Sequence, residues 1–267
     1  MSLPPPLTDT LQEFRLNGGD VPLLSTQHYP APCPLGKQKP LNTFLAERER
    51  GQHRWRTLTF GEAMPQVIRL AQALIDHGLS TERPLMVLSG NSIEHALLAC
   101  AAMHVGIPYV PVSPSYALLS EDFVKLRHVV ELVTPGMLFV DEEARFKRAL
   151  TAVCDDGVTC VAKVPTLRAL TFDSLAGTPA TVAVESAHAR VTPDTIAKLL
   201  FTSGSTGMPK AVINTHRMLC SNQAMLARRL SFLEQHTPVL VDWLPWHHIR
   251  RQYDFGDGNT QRRVAIY

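Results

Sequence analysis

The residues from Thr202 to Lys210 have the composition of a loop that binds phosphate. In order they are Thr202, Ser203, Gly204, Ser205, Thr206, Gly207, Met208, Pro209 and Lys210. Glycines let backbone N–H groups approach an anion without a clash from Cβ, hydroxyl groups donate hydrogen bonds, and a lysine ammonium offsets negative charge. Apolar runs at 196–201 and 211–214 predict a strand on either side. We therefore expect a hairpin-like loop that wraps an anion.

Two other interpretations of this loop have to be weighed. A Walker-type loop requires Gly-x-x-x-x-Gly-Lys-[Ser/Thr] leading directly into a helix, whereas here the glycines are three residues apart and Pro209 precedes Lys210. That spacing excludes the Walker class. Clusters of glycine, serine and threonine also mark plain flexible turns, and composition alone favours such a turn. The ordered string argues against it.

Alternating apolar runs and helical patterns predict the elements that must position the loop. Thr59 and Glu62 have the spacing of a capping box at the start of a helix that Gly78 ends, and Asn91 with Glu94 is expected to open a second helix. Further strands are predicted at 85–88, 109–112, 137–140, 158–161 and 196–202, with helical patterns at 119–132 and 142–153 and a surface connection at 173–193. The fold class is therefore α/β, with mostly parallel sheets flanked by helices.

Composition limits the classes of partner. The 267 residues are 45% hydrophobic and carry 26 Lys and Arg against 24 Asp and Glu, which gives a net charge of +2. This charge is too small for a broad basic face, so we predict neither a nucleic-acid nor a membrane partner. The mixed charges at 141–148 predict a solvated helix face. Oligomeric state is not predicted.

The cysteines and the chain start predict a cytoplasmic protein. Five cysteines are scattered without a CxxC pair, which indicates neither a disulfide framework nor a zinc site: Cys33, Cys100, Cys154, Cys160 and Cys220. The first residues lack a basic region followed by an apolar stretch, and no run of about 18 apolar residues occurs. His247 and His248 are adjacent and have no carboxylate or cysteine at ligand spacing, so no metal site is predicted there.

The ordered string at 202–210 resembles the phosphate-binding signature of the adenylate-forming superfamily, which comprises acyl-CoA synthetases, luciferases and peptide-synthetase adenylation domains. Within that superfamily, the residues at 90–95, 210–216 and 242–248 are most similar to those of feruloyl-CoA synthases. The resemblance implies that a carboxylate attacks the α-phosphorus of ATP bound with Mg²⁺, and that coenzyme A then displaces AMP to form a thioester. For feruloyl-type enzymes the acid is a hydroxycinnamate, which is an aromatic carboxylate.

The same resemblance implies roles for individual residues. Five consecutive residues would hold the β- and γ-phosphates, with Thr202 at the mouth and Lys210 adding charge: Ser203, Gly204, Ser205, Thr206 and Gly207. His248 aligns with the position that lines the acyl pocket. No catalytic residue is secure, because the family's adenylation lysine has no counterpart in this sequence.

The resemblance also predicts a domain organisation. We expect an irregular proline-rich leader at 1–40, a partial N-terminal adenylation domain at 41–248 and a divergent tail at 249–267, with the C-terminal lid domain absent. The hypothesis from this pattern is a truncated or frame-shifted ligase. Two functions remain open at this point: an acid–CoA ligase, or a non-catalytic remnant that serves as an interaction module.

Overall fold

The computed structural model of the chain describes residues 40–48, 54–155, 157–166, 168–203, 207–229, 239–242, 244–247 and 263–266. The strands in these ranges are β1 (Thr43–Arg48), β2 (Trp55–Thr59), β3 (Leu85–Leu88), β4 (Tyr109–Pro111), β5 (Met137–Glu142), β6 (Thr159–Val164), β7 (Leu170–Thr171), β8 (Ile196–Ser203), β9 (Pro209–Thr215), β10 (Val239–Asp242) and β11 (Arg263–Ile266). The helices are α1 (Phe60–Asp76), α2 (Ile93–His104), α3 (Ser115–Leu118), α4 (Val124–Val133), α5 (Glu143–Val153), α6 (Phe172–Ala176), α7 (Val182–His188) and α8 (His216–Arg229). Except for Pro40, the predicted leader lies outside the described residues.

The larger sheet has seven strands in the order β7-β6-β5-β3-β4-β8-β9. Every pairing in it is parallel except that of β8 with β9, which is antiparallel. All four residues of β3 are buried, as parallel strands covered on both faces require. The predicted mostly parallel sheet flanked by helices is confirmed.

Helices cover both faces of this sheet. Alternate residues of β3 enter two separate apolar cores, with Leu85 and Val87 in one and Met86 and Leu88 in the other. The first core is completed by α1, α2, α6 and α7, and the second by α3, α4 and α5. The sheet is therefore the middle of three layers, and its carboxyl edge stays open for loops.

Helix α1 begins where the sequence predicts. The Thr59 hydroxyl accepts a hydrogen bond from the Glu62 N–H at 3.2 Å, and the Glu62 carboxylate accepts one from the Thr59 N–H at 2.8 Å. This reciprocal pair is the capping box, and it satisfies two N–H groups that the helix cannot pair itself. Gly78 then turns the chain in a left-handed conformation, with φ of +69°.

The smaller sheet has four strands in the order β10-β11-β1-β2. Strand β11 lies between β10 and β1 and is parallel to both, while β1 and β2 are antiparallel. Apart from β11, the predicted divergent tail lies outside the described residues. The last described strand thus joins the first in one sheet.

Several local predictions are wrong. Ser92, not Asn91, caps α2, since its hydroxyl accepts from the His95 N–H at 3.1 Å. The pattern at 119–132 is broken at Phe123, whose φ of 55° lies outside the helical region, and α4 begins only after it. The connection at 173–193 contains most of α6 and all of α7, which are too short to show a sustained apolar period.

The charged segment at 141–148 is only partly the predicted solvated face. Arg145 pairs with Asp141 at 3.2 Å near the surface, as expected for i,i+4 charges. Glu143, however, is buried, and its carboxylate accepts hydrogen bonds from the backbone N–H groups of Thr166 and Arg168. The carboxylate holds the chain that leaves β6.

Candidate functional site

The predicted phosphate loop lies at the carboxyl edge of the large sheet, where β8 ends and the chain returns through β9. Thr202 is opposite Lys210 and Ser203 is opposite Pro209 in this antiparallel pair. Four of the predicted site residues lie outside the described residues. They are Gly204, Ser205 and Thr206 of the predicted phosphate loop and His248 of the predicted acyl pocket. The described part establishes the hairpin that the sequence predicts.

The return side of the hairpin is open to solvent. Gly207 has φ of +86°, and a Cβ placed there would meet no atom within 4 Å. This conformation strongly favours glycine and turns the chain back towards β9. Lys210 is exposed, and among the described residues its ammonium has no acidic partner. The lysine is therefore available to a negatively charged ligand.

The base of the hairpin is anchored in the sheet and against α4. Leu200 and Phe201 are buried in β8. On α4, His128 donates from Nε2 to the carbonyl oxygen of Pro209 at 3.1 Å. The hydroxyl of Thr202 donates across the pair to the Lys210 carbonyl oxygen at 3.4 Å, which is a long contact. These contacts fix the two strands, while Gly207 and Lys210 on the return side are exposed.

A second polar turn follows β3 on the same edge. The amide nitrogen of Asn91 donates to the Leu244 carbonyl oxygen at 2.8 Å, and its amide oxygen accepts from the Trp246 N–H at 3.0 Å. Asn91 thus holds a segment more than 150 residues later in the chain. Because only β4 separates β3 from β8, the two loops are about 10 Å apart at ordinary strand spacing.

The buried side chain of His95 packs against the segment that Asn91 holds. Its Nδ1 donates to the Gly90 carbonyl oxygen at 2.8 Å, so Nε2 accepts from the Tyr109 hydroxyl. The indole of Trp246 packs on the imidazole edge-on, with ring centroids 4.9 Å apart. Burial lowers the pKa of His95 to about 4, against a partial rise from the Gly90 carbonyl, and the nearby His247 lowers it further. The imidazole is neutral at pH 7.

An ion cluster joins α2 to strands of both sheets. Arg56 of β2 contacts the buried Glu94 at 2.6 Å and also pairs with Glu47 of β1. Lys163 of β6 contacts Glu94 at 3.0 Å. Burial alone would raise the pKa of Glu94, but the hydrogen bond from Arg56 and the charge of Lys163 hold it below its ordinary value. The cluster fixes the start of α2 and with it the turn that carries Asn91.

A family model described as AMP-binding enzyme matches residues 36–255 of this chain, which is most of its length. The chain belongs to the AMP-binding enzyme family. The predicted membership of the adenylate-forming ligases is thereby confirmed. The matched span includes the whole β8–β9 hairpin.

Curated relatives of this AMP-binding enzyme include CoA ligases and a multidomain synthase. A 3-hydroxybenzoate–CoA ligase of Aromatoleum sp. (strain CIB) is 30% identical over 164 residues, which cover 60% of this chain and 30% of the relative. The peroxisomal long chain acyl-CoA synthetase 6 of Arabidopsis thaliana is 26% identical over 221 residues, 74% of this chain and 29% of the relative. Indigoidine synthase of Streptomyces lavendulae is 29% identical over 194 residues, 71% and 14% respectively. The chain thus spans less than a third of each of these relatives.

Solved structures agree in fold. A fatty acyl-adenylate ligase from L. pneumophila, in complex with acyl adenylate and pyrophosphate, has a TM-score of 0.66 at 16% identity. The match covers 87% of this chain and 38% of the ligase chain. ATP-bound MatB from Rhodopseudomonas palustris has a TM-score of 0.59 at 20% identity and covers 85% and 42% respectively. At these identities the likeness establishes the fold of this AMP-binding enzyme.

The structure adds residues that the motif did not identify. Asn91 was expected to open a helix, yet its amide ties the β3 turn to the segment before His248, and His95 of α2 packs against Trp246 in that segment. The position of Asn91 directly after a predicted buried strand was the available signal, since polar residues at the carboxyl ends of parallel strands face the ligand edge. In the described part of the chain, no group of three or more His, Cys, Asp or Glu side chains could hold a metal ion. No described helix is long and apolar enough to cross a membrane.

Proposed function

We propose that the β8–β9 hairpin of this chain binds the β- and γ-phosphates of ATP in an AMP-forming acid–CoA ligase of the feruloyl-CoA synthase type. The observation that carries the proposal is the hairpin at the carboxyl edge, with left-handed Gly207 at its tip and the exposed ammonium of Lys210 on its return strand. Residues 41–248 would then act as a partial adenylation domain. The scattered cysteines favour a reducing, cytoplasmic setting.

The residues present suit a triphosphate. Backbone N–H groups at the tip, the hydroxyls of the 202–206 segment and Lys210 would supply hydrogen bonds and positive charge to the leaving pyrophosphate. Bound Mg²⁺ would neutralise further phosphate charge, and in such a ligase coenzyme A is the final acyl acceptor. Because the hairpin strands are fixed by β4 and by His128, the backbone that carries Thr202 and Lys210 is held in place before the ligand arrives.

The aromatic acid is supported by two observations. Over the aligned region, the chain is 30% identical to a ligase named for 3-hydroxybenzoate. Its sequence at 242–248 is similar to that of feruloyl-CoA synthases. The segment held by Asn91 leads to His248, the position that we assign to the acyl pocket. The side chain of Trp246 is only 3% exposed and packs in the first apolar core, so it anchors this segment to the domain.

A different function, as a non-catalytic interaction module, is favoured by exposed apolar side chains. Ile213 on the edge strand β9 is 54% exposed, and Val239 and Val241 on β10 are 60% and 59% exposed. Surfaces of this kind are typical of protein contacts. Such a module needs neither ATP binding nor pyrophosphate release, and this difference makes the two functions separable.

The test measures binding of Mg-ATP to the full chain by titration calorimetry, followed by pyrophosphate release with ferulate, ATP and coenzyme A. We expect ATP to bind the wild-type chain and binding to weaken strongly in Lys210→Ala. Lys147→Ala is the matched control, because it removes the same charge from an exposed position on α5. If the wild-type chain binds no ATP, or if both variants lose binding equally, the hairpin is not the phosphate site.

A further inference from the structure

Two reduced cysteines outside the nucleotide site lie side by side. The sulfur atoms of Cys154 and Cys160 are 3.1 Å apart, and both side chains are half-buried at the margin of the second apolar core. Cys154 directly follows α5, and Cys160 is the second residue of β6. The sequence pattern gave no reason to pair them, because their spacing is not that of a CxxC motif.

The backbone holds these two sulfurs together. The Cys154 N–H donates to the Leu150 carbonyl oxygen at 2.8 Å at the end of α5, and Cys160 is in register with Leu138 of β5. Between them, the Asp155 carboxylate accepts from the Gly157 N–H at 2.9 Å and stabilises the connecting turn. A disulfide bond needs about 2.05 Å between sulfurs, so an approach of about 1 Å would close it.

We propose that Cys154 and Cys160 are a modification site that forms a reversible intramolecular disulfide when the chain meets a small-molecule disulfide oxidant. The Cys160 thiolate attacks one sulfur of the oxidant, forms a mixed disulfide and releases one thiolate. Cys154 then loses its proton and attacks the Cys160 sulfur, which releases the second thiolate. The two cysteine sulfurs lose two electrons in total, the oxidant gains them, and the two protons end on the released thiols.

The order of attack follows from the hydrogen bond between the thiols. A hydrogen bond from Cys154 to the Cys160 thiolate lowers the pKa of Cys160, and the same contact raises the pKa of Cys154. The thiolate is the nucleophile in disulfide exchange, so Cys160 reacts first and Cys154 resolves the mixed disulfide.

The bond would lie at the amino edge of the sheet, opposite the carboxyl edge that carries the proposed phosphate site. Cys160 is near the amino end of β6, whereas the hairpin follows the carboxyl end of β8 in the same parallel sheet. We therefore expect oxidation to stabilise the connection from α5 to β6 and to leave ATP binding unchanged. This site stands independently of the proposed ligase activity.

The tryptic peptide 149–163 makes a direct test possible, because Cys154 and Cys160 are its only cysteines. The full chain is treated with oxidised glutathione, alkylated with iodoacetamide, digested and weighed by mass spectrometry. We expect this peptide to lose two hydrogen atoms and to carry no alkyl group. When the oxidised chain is reduced with dithiothreitol before alkylation, the peptide should carry two alkyl groups. Two alkyl groups after oxidation, a lasting glutathione adduct or a cross-link to another cysteine would overturn the proposal.

Single variants separate the two roles. In Cys154→Ser the glutathione adduct should be trapped on Cys160, while Cys160→Ser should show far less adduct on Cys154. Cys220 serves as the internal control, since its peptide should keep its alkyl group or take glutathione without closing a bond. The melting temperature of the oxidised wild-type chain should exceed that of oxidised Cys154→Ser by about 5 °C. Equal melting temperatures would contradict the closed loop even if both chains fold.

Discussion

The hairpin after β8 and the turn after β3 share one edge of one sheet, yet they use their polar groups in opposite ways. At the hairpin, Gly207 and Lys210 are exposed and face solvent. At the turn, His95 is buried with both ring nitrogens bonded, and both ends of the Asn91 amide hold a distant segment. The first arrangement keeps donors available to a ligand, whereas the second uses them to fix the chain.

This difference divides the expected effects of mutation. Removal of an exposed side chain at the hairpin should weaken ligand binding and leave the free energy of unfolding nearly constant, because exposed side chains contribute little to the core. Changes at the turn should lower the free energy of unfolding, because they remove hydrogen bonds that hold the buried His95 and Trp246 in place. Four experiments test the division, from the largest expected effect to the smallest.

Acid should destabilise the buried turn. The folded pKa of His95 is about 4 against an ordinary 6.5, so the unfolded chain binds the proton more tightly. Stability is then fully present above pH 6.5 and is lost as pH falls towards 4, at roughly 1.4 kcal/mol per pH unit and about 3 kcal/mol in all. Urea unfolding of wild type and His95→Gln across this pH range measures how much of the pH-dependent loss of stability comes from His95.

The control for this titration is His77→Gln, which changes an exposed histidine at the end of α1. Its pH profile should match the wild type. His104 and His216, whose pKa values burial also lowers to about 4, contribute to all three chains, so the informative quantity is the difference between profiles. An unchanged slope in His95→Gln would place the acid sensitivity elsewhere.

Lys210→Ala should lower the rate of pyrophosphate release about 100-fold, because the ammonium would stabilise charge on the departing pyrophosphate. The free energy of unfolding should change by less than about 0.5 kcal/mol, as expected for an exposed side chain. Steady-state assays and urea unfolding measure the two quantities. A large loss of stability would show that the hairpin is structural, and the comparison with the β3 turn would then fail.

Asn91→Leu should cost about 2 kcal/mol, since it removes the partners of the Leu244 carbonyl and the Trp246 N–H. Asn91→Asp keeps the acceptor and loses the donor, so it should lose about half as much. Midpoints of urea unfolding give both values, provided that the m-value is unchanged. Should Asn91→Leu prove as stable as wild type, the segment is not held by this amide.

Gly207→Ala should cost about 1 kcal/mol, because φ of +86° disfavours any residue with a Cβ even where space is open. Gly90→Ala is the matched control: a Cβ there also meets no atom within 4 Å, but the backbone is not left-handed. Thermal unfolding of both variants compares the costs. Equal costs would mean that conformation is not the reason for glycine at Gly207.

Local signals in the sequence were sufficient for much of the fold. The capping box of Thr59 and Glu62 and the apolar run of β3 needed only neighbouring residues, and both are confirmed. Asn91 was wrongly assigned to a helix start because capping chemistry and long-range hydrogen bonding use the same amide. Ser92 took the cap because the backbone turned one residue later.

Sequence by itself determined the family, the parallel sheet and the position of the hairpin, since periodicity and an ordered motif depend on residues close in the chain. Only the tertiary structure decided that Asn91 holds the 244–246 segment, that β11 lies between β10 and β1, and that Cys154 meets Cys160. Each of these contacts depends on where the sheets and helices pack. Pattern and spacing did not specify these contacts, because separation along the chain does not fix distance in space.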